Sequence, residues 1–229
     1  MGGELGMVIG GLVRFSLSDY PGCPAAVVFT RGCNFRCPWC HNPGLVDPAR
    51  YVPEVPLGEV LWFLERRRRF LGTVVVSGGE PTLQPDLLDF LRQLKRMGYK
   101  TKLDTNGSRP DVLRRVLGEG LVDCLAVDYK APLRLYREWV CAGDPGAVLE
   151  SLHLALKFPG GRVRTTVVPC LHTPEVLEEM RAELRAAGFD VAPGTGEWVL
   201  QEFRRGGELL LATPGALPRF WDSGGYLKA

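Results

Sequence analysis

The chain has 229 residues, 45% of them hydrophobic and 24% charged, which is enough apolar material to bury a continuous core. Its net charge of +2 is too small to single out nucleic acid or an anionic membrane as a partner, and no apolar run approaches the roughly 20 residues that cross a bilayer. Seven cysteines, an odd number with three of them crowded together, argue against a secreted disulfide framework.

The N-terminal MGGELGMVIGGLVRF carries neither the basic opening nor the cleavage site of a signal peptide, so a cytoplasmic protein is expected. Residues 8–22 (VIGGLVRFSLSDYPG) read as a strand and turn leading in, an edge hairpin. From residue 24 onward, β-branched runs alternate with helical patterns. The predicted strands are 24–30, 73–77, 99–104, 122–128, 162–168 and 198–203, and their continuous apolar character suits a buried parallel sheet.

The predicted helices are 57–70, 85–98, 109–120, 132–142, 145–157 and 173–188. Leu87, Phe90, Leu91 and Leu94 share one face of the second, which Gly98 ends. In the last, Thr173 caps, Pro174 takes the first turn and Gly188 stops the helix. Arg66 to Arg69 close the first as a solvated face that complements the helix dipole. Six βα units in series predict an α/β fold with a parallel sheet, either doubly wound or a partial (β/α)6 TIM-like barrel, in a single domain over 1–229 with its core about 22–205. In both architectures ligands sit at the C-terminal ends of the strands.

The chemistry-bearing stretches fall at that end. RGCNFRCPWCHNPG (31–44) follows the first strand of the βα series, SGGEP (77–81) the second, LDTNG (103–107) the third and VDYK (127–130) the fourth. Cys33, Cys37 and Cys40 with His41 would close a tetrahedral zinc site; the three thiolates alone would leave an iron-sulfur cluster one ligand short. Gly78 and Gly79 remove side chains so that a ligand can approach the backbone, and Glu80 offers a carboxylate. Asp104, Thr105 and Asn106 present polar groups on a turn apt for a ribose, while Asp128 and Lys130 point to one side of the sheet as an ion pair. The scattered Cys23, Cys124, Cys141 and Cys170 are expected to behave as small buried apolar residues.

The C-x3-C-x2-C spacing of Cys33-Asn-Phe-Arg-Cys37-Pro-Trp-Cys40, with GGEP, DTNG and DYK in order behind it, resembles the cofactor motifs of radical S-adenosylmethionine (SAM) enzymes. More narrowly, CPWCHNP, SGGEPTLQ, LDTNG, VDYKAP, RTTVVP and VLQEFR resemble the activating proteins of anaerobic ribonucleoside-triphosphate reductase, relatives of the pyruvate formate-lyase activating enzyme. The resemblance runs from about residue 10 to 205. Cys170 departs from it, standing where a glycine is expected, and the C-terminal SGGYLKA (223–229) faintly resembles a glycyl-radical loop.

The resemblance implies that Cys33, Cys37 and Cys40 hold a 4Fe-4S cluster whose open iron chelates the methionine end of SAM. Gly78, Gly79 and Glu80 would receive the amino group, Lys130 the carboxylate and Asp104 to Asn106 the ribose. Trp39 would pack against adenine, Gln201 or Phe203 would complete that pocket, and His41 would hydrogen-bond nearby. Asp104 and Asp128 would take part in a monovalent cation site. An electron from a flavodoxin- or ferredoxin-type donor would cleave SAM to a 5'-deoxyadenosyl radical, which would abstract hydrogen from a glycine of the partner, anaerobic ribonucleotide reductase. Without a second cysteine cluster the chain is expected to act on a protein, whose glycine loop enters where a six-stranded barrel stays open. The rival readings are another glycyl radical enzyme or a small purine-like heterocycle as substrate, and a zinc-stapled binding module.

Overall fold

The computed structural model describes residues 6–141, 143–191, 198–204 and 210. Its β-branched and small apolar runs pair into one sheet of seven strands: β1 (Ile9–Ser16), β2 (Ala25–Thr30), β3 (Thr73–Gly78), β4 (Lys100–Thr105), β5 (Cys124–Asp128), β6 (Gly161–Val167) and β7 (Trp198–Glu202). β1 lies antiparallel on β2, from Ile9 beside Thr30 to Ser16 beside Ala25, as the expected edge hairpin. The other five pairings are parallel, and each strand lies beside its neighbour in sequence. A doubly wound sheet reverses its strand order at a switch point; this order never reverses, so the sheet is the partial barrel of the two expected architectures.

The crossovers run through α1 (Pro43–Val46), α2 (Leu57–Arg67), α3 (Leu87–Arg96), α4 (Pro110–Gly118), α5 (Tyr136–Trp139), α6 (Pro145–Lys157) and α7 (Pro174–Ala186). The Thr173 hydroxyl accepts a hydrogen bond from Val176 N at 3.4 Å to cap α7, and left-handed Gly98 and Gly188 follow the ends of α3 and α7. At the end of α2 the arginines are exposed; Arg66 lies over the Trp62 ring at 5.0 Å and Arg68 pairs with Glu65. The helix expected over 132–142 is broken into a 3-10 turn at Leu133–Leu135 and the short α5. Among the described residues no helix is long and apolar enough to cross a membrane.

Period-two alternation splits the strands between two faces. Val74, Val76, Leu103, Leu125 and Val127 join the helix-covered core with Leu87, Phe90, Leu91 and Leu94 of α3. On the other face Ala25, Val27, Val75 and Cys124 form a smaller cluster with Tyr20. Above it β4 to β6 carry Lys102, Asp104, Asp128 and Arg164, so these strands are not the continuous apolar runs expected. Of the scattered cysteines Cys124 is buried and Cys23 and Cys170 half-buried; Cys141 corrects the expectation, being exposed with φ +55°. The SGGYLKA tail lies outside the described residues.

Candidate active site

After β2 the chain has no periodic apolar pattern, and backbone hydrogen bonds shape it instead. Arg36 N donates to Val140 O at 2.8 Å, and its guanidinium donates to the carbonyls of Cys33 (2.7 Å) and Phe35 (2.9 Å). Phe35 plugs the core edge-on to Tyr136 at 6.2 Å. Gly32 N donates to Leu45 O at 2.7 Å, tying the loop to α1. Cys33, Cys37 and Cys40 thereby line one cavity of about 380 Å³ at the C-terminal ends of the strands.

The GGE turn is built against this loop. Gly78 has φ +122°, and a Cβ there would meet Thr30 N at 2.3 Å; one on Gly79 would meet Gly32 O at 2.1 Å. Both glycines are therefore required by the protein's own backbone, a constraint the sequence does not reveal. Glu80 is wholly buried and accepts from Thr82 N (3.0 Å), the Thr82 hydroxyl, the Thr105 hydroxyl (2.6 Å) and Asn106 N (2.6 Å). Burial pushes its carboxyl up, against these four donors. Its first job is to latch the β3 turn to the β4 turn. Asn106 extends the latch, its amide donating to Asn34 at 2.9 Å and to the Cys33 sulfur at 3.8 Å.

Parallel register then assembles a charged row. Arg164 sits directly across from Asp128, and its side chain reaches over β5 to β4. Its Nε donates to Asp128 Oδ1 at 2.7 Å and its Nη1 to Asp104 Oδ2 at 3.0 Å. Lys130 Nζ holds Asp128 Oδ2 at 2.9 Å, as the sequence predicts, and Lys102 Nζ lies 2.9 Å from Asp104 Oδ1. Burial raises the Asp128 carboxyl, but Arg164 and Lys130 overcome it and hold the group well below the usual carboxylate range. Arg164 and Lys102 are the residues sequence reasoning missed. Each carboxylate oxygen faces a protein cation, the buried Asp104 Oδ1 without accepting a hydrogen bond, so Arg164 occupies the place between Asp104 and Asp128 where the resemblance puts a monovalent cation.

The remaining predicted residues border the same cavity. Trp39 is buried, edge-on to Trp139 at 6.4 Å and to His172 at 6.1 Å, so only part of its ring borders the space. His41 is exposed and lies against Phe203, with ring centroids 5.0 Å apart and planes tilted by 30°. Gln201 stands at the β7 rim. The residues singled out from the sequence for cluster and cofactor, from Cys33 to Gln201, line this one cavity, with the exception of Phe203.

Three thiols, Cys37 buried and Cys33 and Cys40 half-buried, suit iron. Burial pushes the Cys33 thiol up to about 11 and the Cys37 thiol up to about 12, and raises Cys40 as well, so a thiolate here needs a positive partner such as iron. Among the described residues no three His, Cys, Asp or Glu side chains converge on a point that would hold a single metal ion. The cysteines border one space, and three thiols with no fourth protein donor in reach among the described residues suit an iron-sulfur cluster.

Comparison with known proteins agrees. The chain is 33% identical over 183 residues to a protein of Methanocaldococcus jannaschii named provisionally as a glycyl-radical enzyme activating enzyme, covering 76% of this chain and 73% of that protein. It is 35% identical over 132 residues to the 7-carboxy-7-deazaguanine synthase of Methanopyrus kandleri, covering 49% of this chain and 52% of that one, about half of its length. The fold superposes on a solved structure of native anSMEcpe with bound AdoMet at a TM-score of 0.54 and 17% identity, over 76% of this chain and 49% of the other. The profile of the radical SAM superfamily matches residues 27–187, the span that holds the cysteine loop, both latched turns and the charged row, and the chain belongs to that superfamily.

Proposed function

We propose that this chain is a glycyl-radical enzyme activating enzyme, with anaerobic ribonucleoside-triphosphate reductase as its partner, working in the cytoplasm with a flavodoxin- or ferredoxin-type electron donor. The observation that carries the reading is the convergence of three thiols and three polar turns on one cavity at the rim of an open sheet. When bound, a 4Fe-4S cluster and SAM supply reductive cleavage of a carbon-sulfur bond and, with it, a 5'-deoxyadenosyl radical.

The chain's own residues hold and orient. Cys33, Cys37 and Cys40 ligate the cluster and leave one iron position free. The turn at Gly78 to Glu80 would receive the amino group of SAM, and Lys102, Lys130 and Arg164 give the floor three cations against two carboxylates, favouring the SAM carboxylate. Asp104 to Asn106 border the ribose, while Phe35 and Trp39 keep water from the reacting end. The active site requires no general base. The relative that spans most of both chains bears an activating-enzyme name, which favours a protein substrate.

A second reading, a purine-like heterocycle as substrate, is favoured by the half-length match to a deazaguanine synthase. Mixing the reduced protein and SAM with a candidate reductase decides between them. A glycyl radical signal on the reductase supports activation; turnover of a purine-like heterocycle with no such signal supports the alternative.

A further inference from the structure

The charged row raises a question that the cofactor reading leaves open. Two carboxylates buried side by side repel one another and need a cation between them. Here that place belongs to a side chain. Asp104 is 6% exposed, and its Oδ2 and the Oδ1 of Asp128 are bridged by one guanidinium, at 3.0 and 2.7 Å. The outer oxygens go to Lys102 and Lys130, each at 2.9 Å.

We infer that Arg164 is a built-in cation, which holds Asp104 and Asp128 in their binding geometry and makes the site independent of any added sodium, potassium or other metal ion. The inference rests on the SAM-binding reading for its effect on cofactor affinity, but not for its effect on the protein alone. Arg164 is a positioning residue: it acts through the two aspartates. A guanidinium suits the task because its planar fork reaches two carboxylates at once and stays charged at any working pH. Its place on β6 fixes it, since parallel register sets it opposite Asp128, and the extra length of arginine spans the intervening strand to β4.

Removing the guanidinium leaves two carboxylate oxygens facing each other across a gap of cation size. Arg164→Met, close to the aliphatic stem in volume, should therefore turn a cation-indifferent protein into a cation-dependent one. The test compares full-length wild type and Arg164→Met in potassium, sodium and tetramethylammonium chloride at equal ionic strength. It reads thermal unfolding of the cofactor-free chain and, separately, SAM binding to the cluster-loaded protein.

Wild type should melt at the same temperature in all three salts and bind SAM with affinities within about twofold. Arg164→Met should melt several degrees higher in potassium or sodium than in tetramethylammonium, and bind SAM roughly tenfold tighter in the alkali salts. Potassium or sodium dependence of the wild type would overturn the inference, and so would a folded Arg164→Met that ignores the cation. If Arg164→Met fails to fold in every salt, the wild-type comparison alone decides. The melting arm contains no SAM, so failure of the cofactor reading would show only in the binding arm.

Discussion

Gly79 shows how a motif residue serves two masters. A methyl group at this position would lie 2.1 Å from the carbonyl of Gly32, so the β3 turn and the cysteine loop must part to admit it. Gly79→Ala should destabilise the cofactor-free protein by about 2 kcal/mol, whereas Gly58→Ala in α2, whose added Cβ meets nothing within 4 Å, should be neutral or stabilise by about 0.5 kcal/mol. Urea unfolding of the two variants checks the contrast, and equal effects would remove the backbone argument. The cysteine thiols set a pH dependence at the same scale. Their folded pKa values, about 11 at Cys33 and about 12 at Cys37, lie above the roughly 8.5 of an unfolded thiol. Groups raised in this way stabilise fully below the unfolded value and lose that contribution as pH climbs through the folded one. The metal-free chain should therefore lose stability between about pH 9 and 12. Iron uptake must displace the same protons, so iron affinity measured against a chelator should rise at least about tenfold from pH 7 to 8.

At the scale of elements, the helix caps are separable from the chemistry. Thr173 caps α7 with its side chain, and Thr173→Ala should cost about 1 kcal/mol in denaturant unfolding while leaving SAM cleavage unchanged below the transition. The long, periodic elements were legible in the sequence, because six strands with β-branched runs and helices with stops such as Gly98 and Gly188 announce themselves locally. α1 and α5 were not, since four residues are too few to show a helical period. The partners of the site residues were less legible than the site residues themselves. Asp128 and Lys130 are close in sequence and were paired from it. Arg164 meets Asp128 only through the register of β5 and β6, and a single strand such as RVRTTVV reveals neither which neighbour it will have nor how far its arginine will reach. The signal that existed was alternation: Lys102 with Asp104 and Arg162 with Arg164 place charge two residues apart in strands otherwise buried. The structural roles of Gly78, Gly79 and Glu80 were hidden for a related reason. The groups they satisfy belong to the cysteine loop and the β4 turn, distant in sequence.

At the scale of the whole molecule, sequential strand order and a single antiparallel edge among the described residues leave the sheet open while its strand ends gather the cysteine loop and three polar turns at one rim. That arrangement gives the chain its capacity for radical chemistry on something brought to the rim, and the central claim is that three thiols and these turns hold a cluster and SAM there. The most direct measurement is made on protein purified without oxygen and reduced: iron content together with formation of 5'-deoxyadenosine from SAM, in wild type and Cys37→Ala. Wild type should carry about four irons per chain and form 5'-deoxyadenosine, and Cys37→Ala should lose at least about 99% of that activity. Cleavage retained by Cys37→Ala, or a wild type that takes up zinc and no iron, would contradict the account.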